Sequence, residues 1–406
     1  MPVGDTDKTA LTVFRRLIDH GPLSRPELGA GAGLARATTS AIVNDLMRRG
    51  LVTELDAAGG GGRGRPVKLL DLDDRHYAVT GLEIGFGQLK AAVYSLRGRP
   101  LFRVERAVQV QVTNPRDLLR QAAGVLYEAL DLVEDDAREL LGVGVSVAGL
   151  VDASSGTIKY APNLGWRDVA LSAGVAEALG GRAPVLLDST ANFAALAERR
   201  HRNRAGAGLD SLVYLTGTYG ISAGIIAGAD LWRGEHGTAG EVGHLIIDPD
   251  GQRCVCGRQG CFDTRAGLSA IVDTALGAAK RPRRAGREPS ALLAAADEVV
   301  ALAAGGDPGV IAALQEAGRW LGRGAALVAA ILDPRTIVLG GLYTRFAPWL
   351  LGSARTAFAQ GLLVPGPDDD QLDVSALDAW APAEGAALAV LLSIADGATA
   401  LPVGPR

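Results

Sequence analysis

The sequence predicts an α/β protein that carries a small helical module at its N-terminus. Three observations lead there. From Tyr77 onward, short apolar strand patterns alternate with helical ones and break repeatedly at glycines. The first seventy residues instead read as three short amphipathic helices and a glycine-rich hairpin. Charge divides along the same line: residues 8–70 hold ten Lys/Arg against five Asp/Glu, a balance of +5, so the rest sums to −9 in a chain of net charge −4.

In the N-terminal module, "LTVFRRLIDHG" places Leu11, Phe14, Leu17 and Ile18 on one helical face, and Gly21 ends the helix. Ser24 and Glu27 have capping-box spacing, with Pro26 in the first turn where its missing N–H costs little. "ARATTSAIVNDLMRRG" turns Ile42, Val43, Leu46 and Met47 inward and stops at Gly50. It leaves Arg36, Thr38, Thr39, Ser40 and, one turn on, Asn44 outward. "LVTELDAAGGGGRGRPVKLLDL" then reads as strand, glycine tip, strand, which is a wing. Together these predict a winged helix-turn-helix over residues 1–75 that binds a double-stranded DNA operator. Its expected contacts are Arg25, Arg36, Thr38, Thr39, Ser40 and Asn44, with Arg63 and Arg65 reaching a minor groove from the wing tip.

The body continues with "YAVTGLEIGFGQLKAAVYSL", two strands around a glycine turn, and the buried strand "LLGVGVSVAGLVD". "PVLLDSTANFAALAERR" is strand into helix, and "SLVYLTGTYGISAGIIAG" is a strand pair. "DPRTIVLGGLY" is a strand that ends in a double glycine. By itself this periodicity supports α/β with repeated Gly-rich turns.

All three cysteines fall within "CVCGRQGC". An odd, tightly spaced set suits a metal better than a disulfide framework. His244, ten residues before Cys254, completes a Cys₃His set with Cys254, Cys256 and Cys261. Four protein ligands make a closed, structural Zn²⁺ site, whose binding supplies folding free energy on the order of 10 kcal/mol. The first twenty residues lack a signal-type apolar region, and the run "GAALAVLLSIA" is roughly half the length of a membrane span. A cytoplasmic, reducing location is expected.

"GEVGH…CVCGRQGC", followed in order with "PNLGW", "ANFAALAE", "GISAGIIAG" and "IVLGG", resembles the ROK family of repressors and sugar kinases over nearly the whole chain. The resemblance implies a two-lobed actin-like (ribonuclease-H-like) ATPase fold. Lobe 1 would span residues 76–183, rejoined by a C-terminal helix at 385–396, and lobe 2 residues 184–384 with a zinc loop at 241–263. It further implies that Asn163, Ser189, Thr190, Glu241, His244 and Asp263 line a sugar pocket.

The kinase pattern is degraded at three places. "EIGFGQ" stands where family kinases carry D-x-G-G-T-K, so Phe86 replaces a glycine and the Thr and Lys are lost. Ser189 and Thr190 occupy the Asn and Asp positions of N-D-x-N, and a threonine hydroxyl is no general base near neutral pH. The second phosphate loop reads "GTYGISAG", with Tyr219 and Ser222 among its glycines. The expected function is therefore a non-enzymatic, sugar-responsive transcriptional regulator, a repressor acting as a homodimer or dimer of dimers. The alternatives are a hexose kinase with a DNA-binding head and a regulator that has lost sugar sensing.

Overall fold

The computed structural model describes residues 5–55, 68–85, 87–108, 114–162, 164–218, 220–278, 289–364 and 371–405. Arg63, Arg65, Phe86, Asn163 and Tyr219 lie outside the described residues.

The head comprises α1 (Asp5–His20), β1 (Leu23–Ser24), α2 (Arg25–Ala32), α3 (Arg36–Arg48), β2 (Val52–Leu55) and β3 (Leu69–Leu72). Its strands form an antiparallel sheet in the order β1-β3-β2. The capping box at Ser24 and Glu27 is made in both directions, and Gly21 follows α1 at φ +75°. Leu11, Phe14, Leu17, Ile18, Ile42, Val43 and Leu46 are all buried.

The body then runs through β4 (Tyr77–Ile84), β5 (Gln88–Ser95), β6 (Pro100–Ala107), α4 (Pro115–Asp135) and β7 (Glu139–Val147). A small antiparallel sheet follows, of β8 (Leu150–Asp152), β9 (Thr157–Ala161) and β10 (Trp166–Val169), then α5 (Leu171–Ala178) and β11 (Val185–Ser189). α6 (Thr190–Arg204) leads into β12 (Ser211–Gly217), β13 (Ile221–Ala227) and β14 (Asp230–Leu231). After a 3₁₀ turn at Val242–His244 come α7 (Asp263–Ala266), α8 (Leu268–Ala278), α9 (Pro289–Ala304) and α10 (Pro308–Leu332). The chain closes with β15 (Ile337–Gly341), α11 (Tyr343–Gly361), β16 (Leu372–Val374) and α12 (Ala381–Ala395).

The two five-stranded sheets share one design. Their orders are β6-β5-β4-β7-β11 and β14-β13-β12-β15-β16. In each, the first strand pairs antiparallel with the second and parallel with the fourth. This duplicated sheet, with helices between the copies, is the actin-like (ribonuclease-H-like) fold.

Two helices join the halves, and glycines let them approach. α12 lies on β4 and β7, where a Cβ on Gly81 would stand 1.8 Å from the Ala383 carbonyl oxygen and one on Gly144 2.0 Å from that of Ala386. α6 lies on β12 and β13, where a Cβ on Gly224 would meet the Ala191 oxygen at 2.1 Å. α6 and α12 cross each other at Gly385, whose added Cβ would fall 1.6 Å from the Phe193 oxygen. These glycines of the strand and helix patterns therefore serve close packing.

The head shares its core with this helix pair. Phe14, Leu17, Leu28, Val43 and Leu46 belong to one buried cluster with Tyr77, Phe193, Leu196 and Leu391. The Tyr77 hydroxyl donates to the Arg49 carbonyl at 2.9 Å, closing the seam below α3.

Candidate functional site

The exposed side of α3 presents Arg36, Thr38 and Asn44, with Ser40 half-buried. Thr39 corrects the outward reading made from the sequence. It is 1% exposed, its hydroxyl donates to the Ala35 carbonyl at 3.0 Å, and it packs where a Cβ on Gly29 would come within 2.7 Å. The reason is helical geometry: Thr39 lies three and four residues before Ile42 and Val43, on the same inward face. Arg25 is partly committed to internal bonds, donating to Asn44 Oδ1 at 3.2 Å and to Glu54 Oε1 at 3.1 Å.

The second site is a ligand cluster. The donor atoms of His244, Cys254, Cys256 and Cys261 all lie within 4.8 Å of one another. Cys256 Sγ is 3.6 Å from Cys261 Sγ, and Cys254 Sγ is 3.8 Å from His244 Nδ1. A tetrahedral ion with bonds of about 2.3 Å would have edges of about 3.8 Å, so the donor set fits a metal. The backbone reaches this shape through turns at Gly257 (φ +89°) and Gly260 (φ +75°). A Cβ on Gly260 would stand 1.8 Å from the Asp248 carbonyl oxygen. Burial pushes the Cys261 thiol up to about 12 and raises that of Cys254, so metal loading has to displace protons.

The third site gathers around the start of α6. Ser189 is its N-cap, with Oγ accepting from the Asn192 amide at 3.2 Å. Thr190 Oγ1 accepts from Ser146 Oγ at 3.3 Å. Asp188 is buried, and its carboxylate accepts from the Ser189 amide (2.7 Å), Asn192 Nδ2 (2.7 Å) and Arg233 Nε (2.7 Å). An acid so surrounded by donors has its acceptor sites occupied.

The turn bearing Glu241 and His244 abuts Asp263. A Cβ on Gly243 would lie 2.5 Å from Asp263 Oδ1, and one on Gly220 2.7 Å from Oδ2. Asp263 Oδ1 accepts from the Ile221 amide at 2.5 Å. Burial pushes Asp263 up to about 6, with the Glu241 charge adding to the rise, and burial raises Glu241 as well. The geometry thus brings the turn of Glu241 and His244 against Asp263, while Ser189 and Thr190 stand at the head of α6.

At the first glycine loop, Glu83 is buried, and Lys90 Nζ lies 3.8 Å from its Oε2. Lys90 also donates to the Ala379 carbonyl at 2.9 Å. An ammonium beside this carboxylate already offsets its charge, which disfavours a second cation there.

Sequence reading overlooked Arg233 and the basic end of α6. In "AERRHRNR", Arg199 and Arg200 look like surface residues but are buried. Arg200 Nη2 donates to the Leu96 carbonyl at 2.9 Å, and burial lowers its pKa to about 10. Arg204 Nη2 bonds both Asp71 oxygens, at 3.0 and 3.1 Å. The available signal was Asp19, an acid on the otherwise apolar face of α1.

The described residues hold no helix long and apolar enough to cross a membrane. Over 373 residues the chain is 26% identical to the xylose repressor of Bacillus subtilis (strain 168), covering 92% of each. A crystal structure of a ROK family transcriptional regulator, homolog of the E. coli MLC protein, superposes with a TM-score of 0.77 at 26% identity, covering 98% of both chains. The ROK family glucokinase from Streptomyces griseus, in complex with glucose and AMPPNP, is similar with a TM-score of 0.64 at 29% identity, covering 76% of this chain and 98% of that one. The ROK family model matches residues 79–391. With the duplicated sheet, the Cys₃His cluster and this match across most of its length, the chain belongs to the ROK family.

Proposed function

We propose that this protein is a sugar-responsive, DNA-binding transcriptional repressor whose sensor is a kinase-like body that performs no phosphoryl transfer. One observation carries the reading: among the described residues at the start of α6, no carboxylate is free to act as base. Thr190 stands at the position expected to deprotonate a sugar hydroxyl, and Asp188, two residues away, is engaged by three donors. Lack of such a base lowers a rate about 10²- to 10⁴-fold. The Glu83–Lys90 pair adds a cation where a kinase would bring magnesium and nucleotide. The likeness to a glucose-bound kinase and to a xylose repressor supports a sugar as effector.

In this reading Glu241 and Asp263 accept hydrogen bonds from sugar hydroxyls, with Asn163, Ser189 and Thr190 completing the pocket. Zn²⁺ occupies the Cys₃His cluster in a structural role. His244 would give one ring nitrogen to the metal, and the other side of the residue would shape the sugar wall. A homodimer places two copies of α3 in successive major grooves of a two-fold operator, with Arg63 and Arg65 at the minor groove.

The test is a thermal-shift panel of free pentoses and hexoses, amino sugars and sugar phosphates, with and without magnesium-ATP. A free sugar should raise Tm equally in both conditions, with no ADP formed above background. Sugar-dependent ADP formation would overturn the reading in favour of a kinase with a DNA-binding head.

A further inference from the structure

We infer that Arg233 is a positioning residue of the effector cleft, and that α6 hands the geometry of that cleft to the DNA-binding head. The inference rests on the sensor reading above for its ligand, but its mechanical part stands on the fold alone.

Asp188 is the penultimate residue of β11, the edge strand of the first sheet, two residues before α6 begins. Arg233 follows β14, the edge strand of the second sheet. Their ion pair, Nε to Oδ2 at 2.7 Å, therefore ties one half of the body to the other at the first turn of α6. Arg233 also begins the loop that leads to Glu241 and His244, and its carbonyl accepts from the Ala239 amide at 3.1 Å. Any ligand that draws the Glu241 wall toward Ser189 and Thr190 has to move with this pair or break it.

The other end of α6 carries Arg199 and Arg204, paired with Asp19 and Asp71 of the head. α1 touches the second junction helix too: Arg15 bonds Asp396, just beyond α12, at 2.6 Å and Asp230 at 2.8 Å. One face of α1 is thus anchored to both helices that join the lobes. Because α6 packs on the second sheet and α12 on the first, a rotation of one lobe against the other shifts the two anchors of α1 unequally. The positions of α3, β2 and β3 follow, since they share the α1 core. Arg233 acts at the cleft end of this chain of contacts by holding Asp188, and hence the first turn of α6, in one place.

Hydrogen–deuterium exchange on the full chain tests this without knowledge of the natural effector. Arg233→Ala should speed exchange several-fold in residues 185–204 and, at the far end, in α1. Arg233→Lys should restore most of the protection. Arg345→Ala, which removes a surface pair with Asp297, should change neither segment. Exchange that is unchanged, or faster only near residues 185–192 and 228–240, would overturn the coupling.

A second arm uses D-xylose as the probe at millimolar concentration. In the parent it should slow exchange at residues 241–244 and in α1 together; in Arg233→Ala it should slow 241–244 alone. Equal slowing of α1 in both proteins would overturn the role of Arg233. If D-xylose protects nothing in either, the sugar reading loses this support, while the ligand-free arm still decides whether α6 couples the two ends.

Discussion

Arg199 on α6 and Asp19 on α1 meet in a two-point ion pair, Nη1 to Oδ1 at 2.9 Å and Nη2 to Oδ2 at 3.2 Å, with both side chains almost wholly buried (3% and 9% exposed). The Arg199 Nε also donates to the Leu209 carbonyl at 3.2 Å, so the guanidinium is well satisfied inside the protein. This pair makes the DNA-binding head part of the body.

Removing one partner leaves the other charged and buried, which typically costs about 3–5 kcal/mol. Asp19→Ala should therefore lower the urea midpoint sharply, whereas Asp19→Leu combined with Arg199→Met should regain most of the loss. If the single replacement unfolds like the parent, the head is not docked as described.

On the proposed DNA face, exposed Arg36 and buried Thr39 allow contact to be separated from packing. Arg36→Ala should weaken binding to duplex DNA and reduce the slope of log K against log salt by about 1. Thr39→Ala should leave that slope unchanged and cost about 1 kcal/mol of stability through its lost buried hydrogen bond. Fluorescence anisotropy across a salt series, with denaturant melts on the same variants, reads both. A changed slope for Thr39→Ala would return that residue to the interface.

The metal loop should hold about one zinc per chain by native mass spectrometry, through four donors within 4.8 Å. Chelation, or Cys256→Ser, should lower Tm while leaving most of the far-ultraviolet circular dichroism intact, because the loop is stapled to a folded body. Metal-free protein that melts like the parent would rule out a structural ion there.

Gly385 sits at the closest approach of α6 and α12, where an added methyl would fall 1.6 Å from the Phe193 carbonyl oxygen. Gly385→Ala should destabilise by about 3 kcal/mol, since backbone rather than a flexible side chain has to move. Gly352→Ala, with open space around it, should be tolerated or slightly stabilising because helical glycine is costly. Equal Tm values for the two variants would contradict this crossing.

Much of the architecture was legible because local rules act over a few residues. Ser24 and Glu27 cap α2 in both directions, the apolar stripe of α1 is buried, and the glycine-separated strands of the body form where their alternation places them. The Cys₃His spacing was readable too, since three of its ligands lie within one loop. Thr39 was misplaced because one residue on a helix turns about 100°, enough to move a side chain from groove to core. Arg233 was missed because its partner Asp188 is 45 residues away, on a different sheet.

The sequence by itself determined the order of elements, the charge division between head and body, and the chemistry present at each motif. Those depend on residue type and short spacing. Only the tertiary structure decided how the parts are joined. It turned Arg199 and Arg204 from an apparently solvated helix end into the ionic seam of the head, and the glycines of two sheets into seats for α6 and α12. Burial is the physical reason: a charge or a missing side chain acquires its role from what packs against it, and here that partner lies on another element of the chain.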